Sequence, residues 1–133
     1  MSAWLPSRCE LFAAAIPISP VGDWYSQHRT SQIPEFDELM LQSSPWEAGG
    51  AYFDRSPAFR KYLSPVPTLI MAGAIDKNTP LGQAQECHFA ALRSGSPSTL
   101  LVYPNSGHSV RGYPEYLDSA ARILRWLATH VPA

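Results

Sequence analysis

Continuous runs of apolar residues along the chain predict three buried strands. They cover residues 12–18, 68–72 and 99–103. None of the three runs alternates apolar with polar positions, which is the pattern of strands covered on both faces, as in a parallel sheet. The Ala-rich middle of the first run has the weakest strand propensity of the three.

Two helical patterns follow the second and third runs. Thr79 before Pro80 is a helix start signal, and Gly95 supplies the stop. The second pattern begins near Pro114 and predicts a buried apolar stripe. That stripe consists of Leu117, Ala120, Leu124, Leu127 and Val131. Strand, helix, strand, helix over residues 67–131 is a βαβα unit, so the predicted fold class is α/β with a mostly parallel sheet flanked by helices.

The stretch 21–64, between the first two runs, has a different character. It is rich in Ser, Pro, Trp, Tyr and Gln and predicts only short helices, around residues 35–41 and 58–62. A long irregular insertion within a compact α/β domain is usually functional. We therefore expect 21–64 to lie on the substrate side of the domain.

Charge and composition exclude several classes of function. The formal net charge of the 133 residues is -1, and no cluster of Lys and Arg occurs, so neither nucleic acid nor an anionic membrane is an expected partner. The apolar runs are far shorter than a membrane-spanning helix. Cys9 and Cys87 form no CxxC pair and have no His at zinc-finger spacing; reduced thiols are expected, with a disulfide as the alternative. No metal and no cofactor are predicted.

Two residues that carry chemistry follow the carboxyl ends of neighbouring strands. Asp76 comes after the Gly that ends the second run, and His108 comes after the turn that ends the third. Catalytic groups of open α/β sheets lie at these ends, and acid before histidine is the later part of the Ser, Asp, His order of α/β-hydrolases. An acid bonded to one imidazole nitrogen leaves the other free to take a serine proton. The alternative is a turn-forming Asp and an exposed loop histidine.

Many short stretches, in the same order, carry a family resemblance. They are residues 12–16, 20–24, 56–57, 66–73, 76–80, 83–84, 91–92, 101–104, 107–108 and 122–127. Over its whole length the chain resembles the C-terminal half of the catalytic domain of the prolyl oligopeptidase family. The resemblance is greatest to the acylaminoacyl-peptidase and dipeptidyl-peptidase branches. It implies the C-terminal portion of an α/β-hydrolase fold, with Asp76 as the triad acid and His108 as the triad base.

The family's nucleophile is a serine in a Gly-x-Ser-x-Gly turn, and this sequence contains no such motif. The resemblance places that turn just upstream of Met1. Residues 1–133 are therefore expected to be the C-terminal portion of a peptidase catalytic domain, without the nucleophile turn and without the family's N-terminal β-propeller.

The resemblance also implies a set of substrate-binding residues. The segment 21–27 would border the pocket for the substrate residue before the scissile bond, and the loop after the acid would close its other side. These residues are Val21, Trp24, Tyr25, Asn78 and Thr79. For the two aromatic rings the alternative is ordinary core packing.

Three functions fit these observations. The first is a serine peptidase that hydrolyses short or N-blocked peptides through a serine ester, located in the cytoplasm. The second is an esterase or dienelactone-hydrolase-like enzyme on the same fold. The third is an incomplete domain, inactive alone, that forms homo-oligomers through the unpaired edge of its first strand.

Overall fold

The sheet is parallel and has helices packed on both faces. The structure, a computed structural model, describes residues 1–132. Within them, β1 (Thr68–Gly73) pairs in parallel with β2 (Ser98–Tyr103). On the other side of β1, Ala15 and Ile18 form parallel bridges to Thr68 and Met71. The order across the sheet is therefore segment 15–18, β1 and β2, which confirms the predicted α/β class.

The other regular elements of the described chain are helices. They are α1 (Trp24–Thr30), α2 (Pro34–Leu41), α3 (Ala51–Asp54), α4 (Leu81–Arg93) and α5 (Glu115–His130), with short 3-10 helices at Leu5–Ser7 and Pro57–Phe59. Helix α4 connects β1 to β2, and α5 follows β2, as the βαβα pattern predicted. Among residues 1–132, no helix combines the length and the hydrophobicity that crossing a bilayer requires.

The predicted strand 12–18 is shorter than the sequence indicated. Ala15 N donates to Pro67 O at 2.9 Å and Met71 N donates to Pro17 O at 3.0 Å, but Phe12 is solvent-exposed. Pro17 has no N–H to donate, and the preceding alanines have low strand propensity, so regular pairing does not develop. Within residues 1–132 the other edge of this segment pairs with no strand, and Ile18 is 53% exposed.

The core lies on both faces of β1, which is buried along its whole length. On one face, Ile70 packs with Cys87 of α4. On the other face, Met71 packs with Trp126 of α5. Because β1 is central and β2 lies at an edge, β2 is only partly covered.

The prediction for the buried stripe of α5 is wrong. Leu117 is 57% exposed and Leu124 is 68% exposed, whereas Ile123 and Trp126 pack against the sheet. The pair Leu117 and Leu124 and the pair Ile123 and Trp126 each lie on one side of the helix, so α5 has apolar side chains on two faces. Periodicity alone does not distinguish the face that meets the sheet.

Segment 21–64 is more helical than predicted. Helix α2 confirms the predicted helix around 35–41, but α1 and α3 were not predicted, and the expected helix at 58–62 is the 3-10 helix Pro57–Phe59. Asp23 is the N-cap of α1, and its Oδ1 accepts from Tyr25 N at 2.8 Å. Short helices like these carry too few apolar repeats for sequence periodicity to reveal them.

The boundaries of α4 follow the predicted signals to within two residues. The helix begins at Leu81 with Pro80 in the N-cap position, so Thr79 does not cap it. The backbone N–H of Thr79 instead donates to Asp76 Oδ1. At the other end, Gly95 takes a φ of 80°, the left-handed conformation that ends many helices.

Candidate active site

Asp76 lies in the loop that follows β1, with a side chain that is only 1% exposed. Its Oδ1 accepts hydrogen bonds from the backbone N–H groups of Asn78 and Thr79, both at 2.9 Å. These two bonds fix the orientation of the buried carboxyl group. Its second oxygen, Oδ2, is therefore directed to a different partner.

That partner is His108, whose Nδ1 lies 2.9 Å from Asp76 Oδ2. An ionised carboxylate only accepts hydrogen bonds, so this contact favours the tautomer with the proton on Nδ1. Nε2 then keeps a free lone pair, and the His108 side chain is 50% exposed. The arrangement is suited to a general base that is oriented by a buried acid.

The close approach of β1 to the turn after β2 brings these two loops together. Register places Gly73 beside Tyr103, and beyond the strands Ile75 N donates to Ser106 O at 3.2 Å. A Cβ atom on Gly73 would lie 2.1 Å from the same Ser106 oxygen. Only glycine allows this approach, because a real Cβ does not come so close to a backbone atom.

The backbone of His108 has a further anchor in the segment beside β1. Ser19 Oγ donates to His108 O at 2.9 Å. Ser19 itself has a φ of 44°, a left-handed conformation that is uncommon for residues other than glycine. The histidine loop is therefore connected to all three sheet segments.

Helix α1 and the two residues that follow it hold the acid loop through side chains that the sequence analysis did not single out. Gln27 Nε2 and Ser31 Oγ both donate to Asn78 O at 2.7 Å, and Gln32 Nε2 donates to Asn78 Oδ1 at 2.7 Å. Gln27 is 2% exposed. The richness of 21–64 in Gln and Ser is the only sequence signal for these bonds, since the partners lie about 50 positions apart along the chain.

The predicted substrate-binding residues separate into three groups. Val21 and Trp24 line a groove of about 600 Å³ that also includes Ser19 and therefore adjoins the His108 loop. The Tyr25 ring instead packs on Tyr52, with 5.5 Å between ring centroids. Asn78 and Thr79 lie in the acid loop. Asn78 accepts the bonds from Gln27 and Gln32, and the backbone N–H groups of Asn78 and Thr79 both donate to Asp76. A substrate-binding role stays a prediction for all five residues.

A second cluster of titratable side chains lies between α1, α2 and α3. Asp37 is 0% exposed, and within residues 1–132 neither of its carboxylate oxygens has a hydrogen-bond partner. Burial raises the pKa of Asp37 to about 6, and the attraction of His28, at 4.0 Å, lowers it only in part. Tyr52 OH lies 3.4 Å from His28 Nδ1, and burial raises the pKa of Tyr52 to about 12. The sequence analysis did not identify this cluster.

The two cysteines are unpaired, and they lie outside the Asp76 and His108 loops. Cys9 and Cys87 are free thiols, and burial raises the pKa of Cys87 to about 12, which makes its thiolate inaccessible at neutral pH. Within residues 1–132, no three His, Cys, Asp or Glu side chains converge on a metal-binding arrangement.

The fold is that of part of an α/β-hydrolase domain. The family model described as the prolyl oligopeptidase family matches residues 1–132, and the chain belongs to this family. This result confirms the resemblance found in the sequence.

Individual relatives agree with this family. The chain is 28% identical to the uncharacterized peptidase YuxL of Bacillus subtilis, over 98% of the chain and 20% of that protein. It is 28% identical to the acylamino-acid-releasing enzyme of Rattus norvegicus, over 92% of the chain and 18% of that enzyme. The solved acylaminoacyl peptidase of Pyrococcus horikoshii superposes with a TM-score of 0.84 at 20% identity, covering 97% of this chain and 22% of that one. The chain thus spans about a fifth of the length of the curated relatives it matches.

Proposed function

We propose that this chain supplies the acid and the base of a serine peptidase that hydrolyses short or N-blocked peptides. The observation that carries the proposal is the bond between buried Asp76 and half-exposed His108, with Nε2 left free. In the proposed reaction, His108 Nε2 takes the proton of a serine hydroxyl as its oxygen attacks the peptide carbonyl carbon. The same proton then passes to the leaving amine as the carbon–nitrogen bond breaks, and water hydrolyses the acyl-serine ester.

The nucleophile of this proposal lies on a different segment of a longer polypeptide. The 133 residues contain no Gly-x-Ser-x-Gly motif. The curated relatives are about five times longer than the matched region, which leaves room for the nucleophile turn and a propeller. The open edge of segment 15–18 would then pair with the strand that leads to the nucleophile. By itself the chain would be inactive, and the same edge would promote self-association.

Substrate preference is proposed from the groove and from the relatives' names. The groove beside His108 is lined by Val21 and Trp24, and such walls fit an apolar side chain on the acyl side of the bond. The acylamino-acid-releasing enzyme among the relatives supports release of N-blocked residues, and dipeptide release is the second option within the family. A cytoplasmic location belongs to the same proposal, and the two free thiols suit a reducing compartment.

Fluorophosphonate labelling, read by intact mass, tests the proposed dyad. The purified chain would be compared with the chain co-expressed with an upstream segment that carries the nucleophile turn. We expect labelling only when that segment is present. Asp76→Asn and His108→Gln should then lower the labelling rate by about 10⁴-fold, as loss of triad geometry does elsewhere.

The matched control is His130→Gln, because His130 contacts Trp126 on α5 and belongs to neither site loop. It should label at the wild-type rate. Labelling of the chain without the upstream segment would contradict the proposal, as would full labelling of His108→Gln.

A substrate panel separates the peptidase from the esterase. It would contain N-acetyl-aminoacyl anilides, dipeptidyl anilides and simple nitrophenyl esters. Hydrolysis of either class of anilide supports the peptidase and identifies the preferred branch. Hydrolysis of the esters alone would refute the peptidase proposal in favour of an esterase.

A further inference from the structure

The turn between β2 and His108 is held by the first residue of α5. Glu115 Oε2 accepts from Ser106 Oγ, and Glu115 Oε1 accepts from Asn105 N at 3.4 Å. Ser106 is 5% exposed, so its hydroxyl has little access to water as an alternative partner. One carboxylate therefore holds two consecutive residues of the turn.

His108 depends on such backbone anchors because its own side chain is half exposed. An imidazole with solvent on one side is not fixed by packing, so its position depends on its bond to Asp76 and on the path of its loop. The loop is anchored beyond the turn by the bond from Ser19 Oγ to His108 O at 2.9 Å. Before His108, the anchor is the Glu115 carboxylate on Ser106.

The same turn also contacts the acid loop. Ser106 O accepts from Ile75 N at 3.2 Å, and Ile75 immediately precedes Asp76. A shift of Ser106 would therefore displace the histidine loop relative to Asp76, which is itself fixed by two backbone bonds. Glu115 is thus connected, through Ser106, to both members of the dyad.

We propose that Glu115 is a positioning residue for His108, acting through Ser106; this inference rests on the proposed catalytic role of the Asp76–His108 pair. Glu115 contacts neither imidazole nor carboxyl group of the dyad. Its carboxylate determines where the turn lies, and the turn determines whether Nε2 reaches the serine proton. Misplacement of a catalytic group by about 1 Å typically lowers the rate by about 10²-fold.

The test uses the complete polypeptide that contains this chain and measures kcat and KM on its best anilide substrate. Glu115→Ala should lower kcat by about 10- to 100-fold, since the turn loses its anchor. KM should stay unchanged, because Val21 and Trp24 in the groove are untouched. Glu115→Gln keeps one oxygen that accepts from Ser106 and should recover part of the lost kcat.

Asp118→Asn is the matched control. Asp118 lies on α5, three residues after Glu115. Its Oδ2 accepts from Tyr103 OH of β2 at 3.0 Å and from Arg122 Nε at 2.7 Å. It connects α5 to β2 without contacting the turn that Glu115 holds. Asp118→Asn should therefore keep the wild-type kcat even if it lowers the melting temperature.

A second variant and a second measurement keep the proposal testable if Glu115→Ala does not fold. Ser106→Ala removes the hydroxyl that donates to Glu115, so it should also lower kcat. In both variants the Ile75 amide should exchange with solvent faster, because its acceptor is Ser106 O.

Three results would overturn the positioning role: unchanged kcat in both variants, an equal fall of kcat in Asp118→Asn, or a fall in kcat without faster Ile75 exchange. Full activity of His108→Gln is a different result, since it would refute the proposed function itself.

Discussion

Replacement of Asp37 by Asn should stabilise the protein at neutral pH. The Asp37 carboxylate is fully buried between short helices, and neither oxygen accepts a hydrogen bond from the part of the chain that the structure describes. The titratable groups that face it are His28 on α1 at 4.0 Å and Tyr52 on α3, and Glu38 lies 3.9 Å from the other nitrogen of His28. Only His28 attracts a negative charge there, so ionised Asp37 is poorly compensated.

The magnitude follows from the change of pKa on folding. The pKa of Asp37 rises from 3.8 to about 6, because burial disfavours the ionised form. Each unit corresponds to about 1.4 kcal/mol, so ionisation of Asp37 costs about 3 kcal/mol of stability above the folded-state pKa. The folded state binds more protons than the unfolded state between these two values. The favourable contribution is therefore complete below 3.8 and is lost as the pH rises through about 6.

Urea denaturation of wild type and Asp37→Asn, from about pH 4 to about pH 8, measures this effect. The variant should be more stable than wild type by about 3 kcal/mol near pH 8, and the difference should shrink towards zero near pH 4. Asp54→Asn is the control, because Asp54 pairs with Arg60 with its side chain 65% exposed and should change stability by less than about 1 kcal/mol. A variant that is less stable than wild type near pH 8 would contradict this prediction, because it would show that His28 stabilises ionised Asp37.

Three further substitutions test the approach of the two site loops, the bond from Gln27 to the acid loop, and the face of α5 that meets the sheet. Gly73→Ala should abolish labelling and lower the melting temperature, since its Cβ would lie 2.1 Å from a backbone oxygen; normal labelling would contradict the stated geometry. Gln27→Ala should slow labelling by removing the 2.7 Å bond to Asn78 O, and an unchanged rate would show that α1 does not hold the acid loop. Trp126→Ala should lower the free energy of unfolding in urea by about 2 kcal/mol, because the ring is partly buried against the sheet, whereas exposed Leu124→Ala should lower it by less than about 1 kcal/mol; equal losses would place the wrong face of α5 against the sheet.

The elements that the sequence predicted best are those whose signals are local and continuous. The run at β1 is apolar throughout because the strand is buried on both faces. The positions of Asp76 and His108 follow from the ends of two adjacent parallel strands, so their proximity could be inferred without coordinates. Their catalytic role stays a prediction.

The features that the sequence did not predict depend on contacts between distant segments. The face of α5 that meets the sheet is selected by the shape of β1 and β2, since both of its faces are apolar. Gln27 and Glu115 carry no local signal, because their partners are recognisable only after the loops are in place. Likewise, nothing in the local sequence around Asp37 shows that three short helices enclose it.

The bonds from α1 to the acid loop have a consequence for sequence variation among relatives. Gln27 and Ser31 both donate to the backbone carbonyl of Asn78, so they recognise the path of the chain and not its side chain. Position 78 is therefore free to vary as far as these two bonds are concerned, while positions 27 and 31 must keep hydrogen-bond donors. Gln32 is different, because it donates to the Asn78 side chain. Substitutions at 32 and 78 are expected to occur together, whereas changes at 27 and 31 would be selected against independently of residue 78.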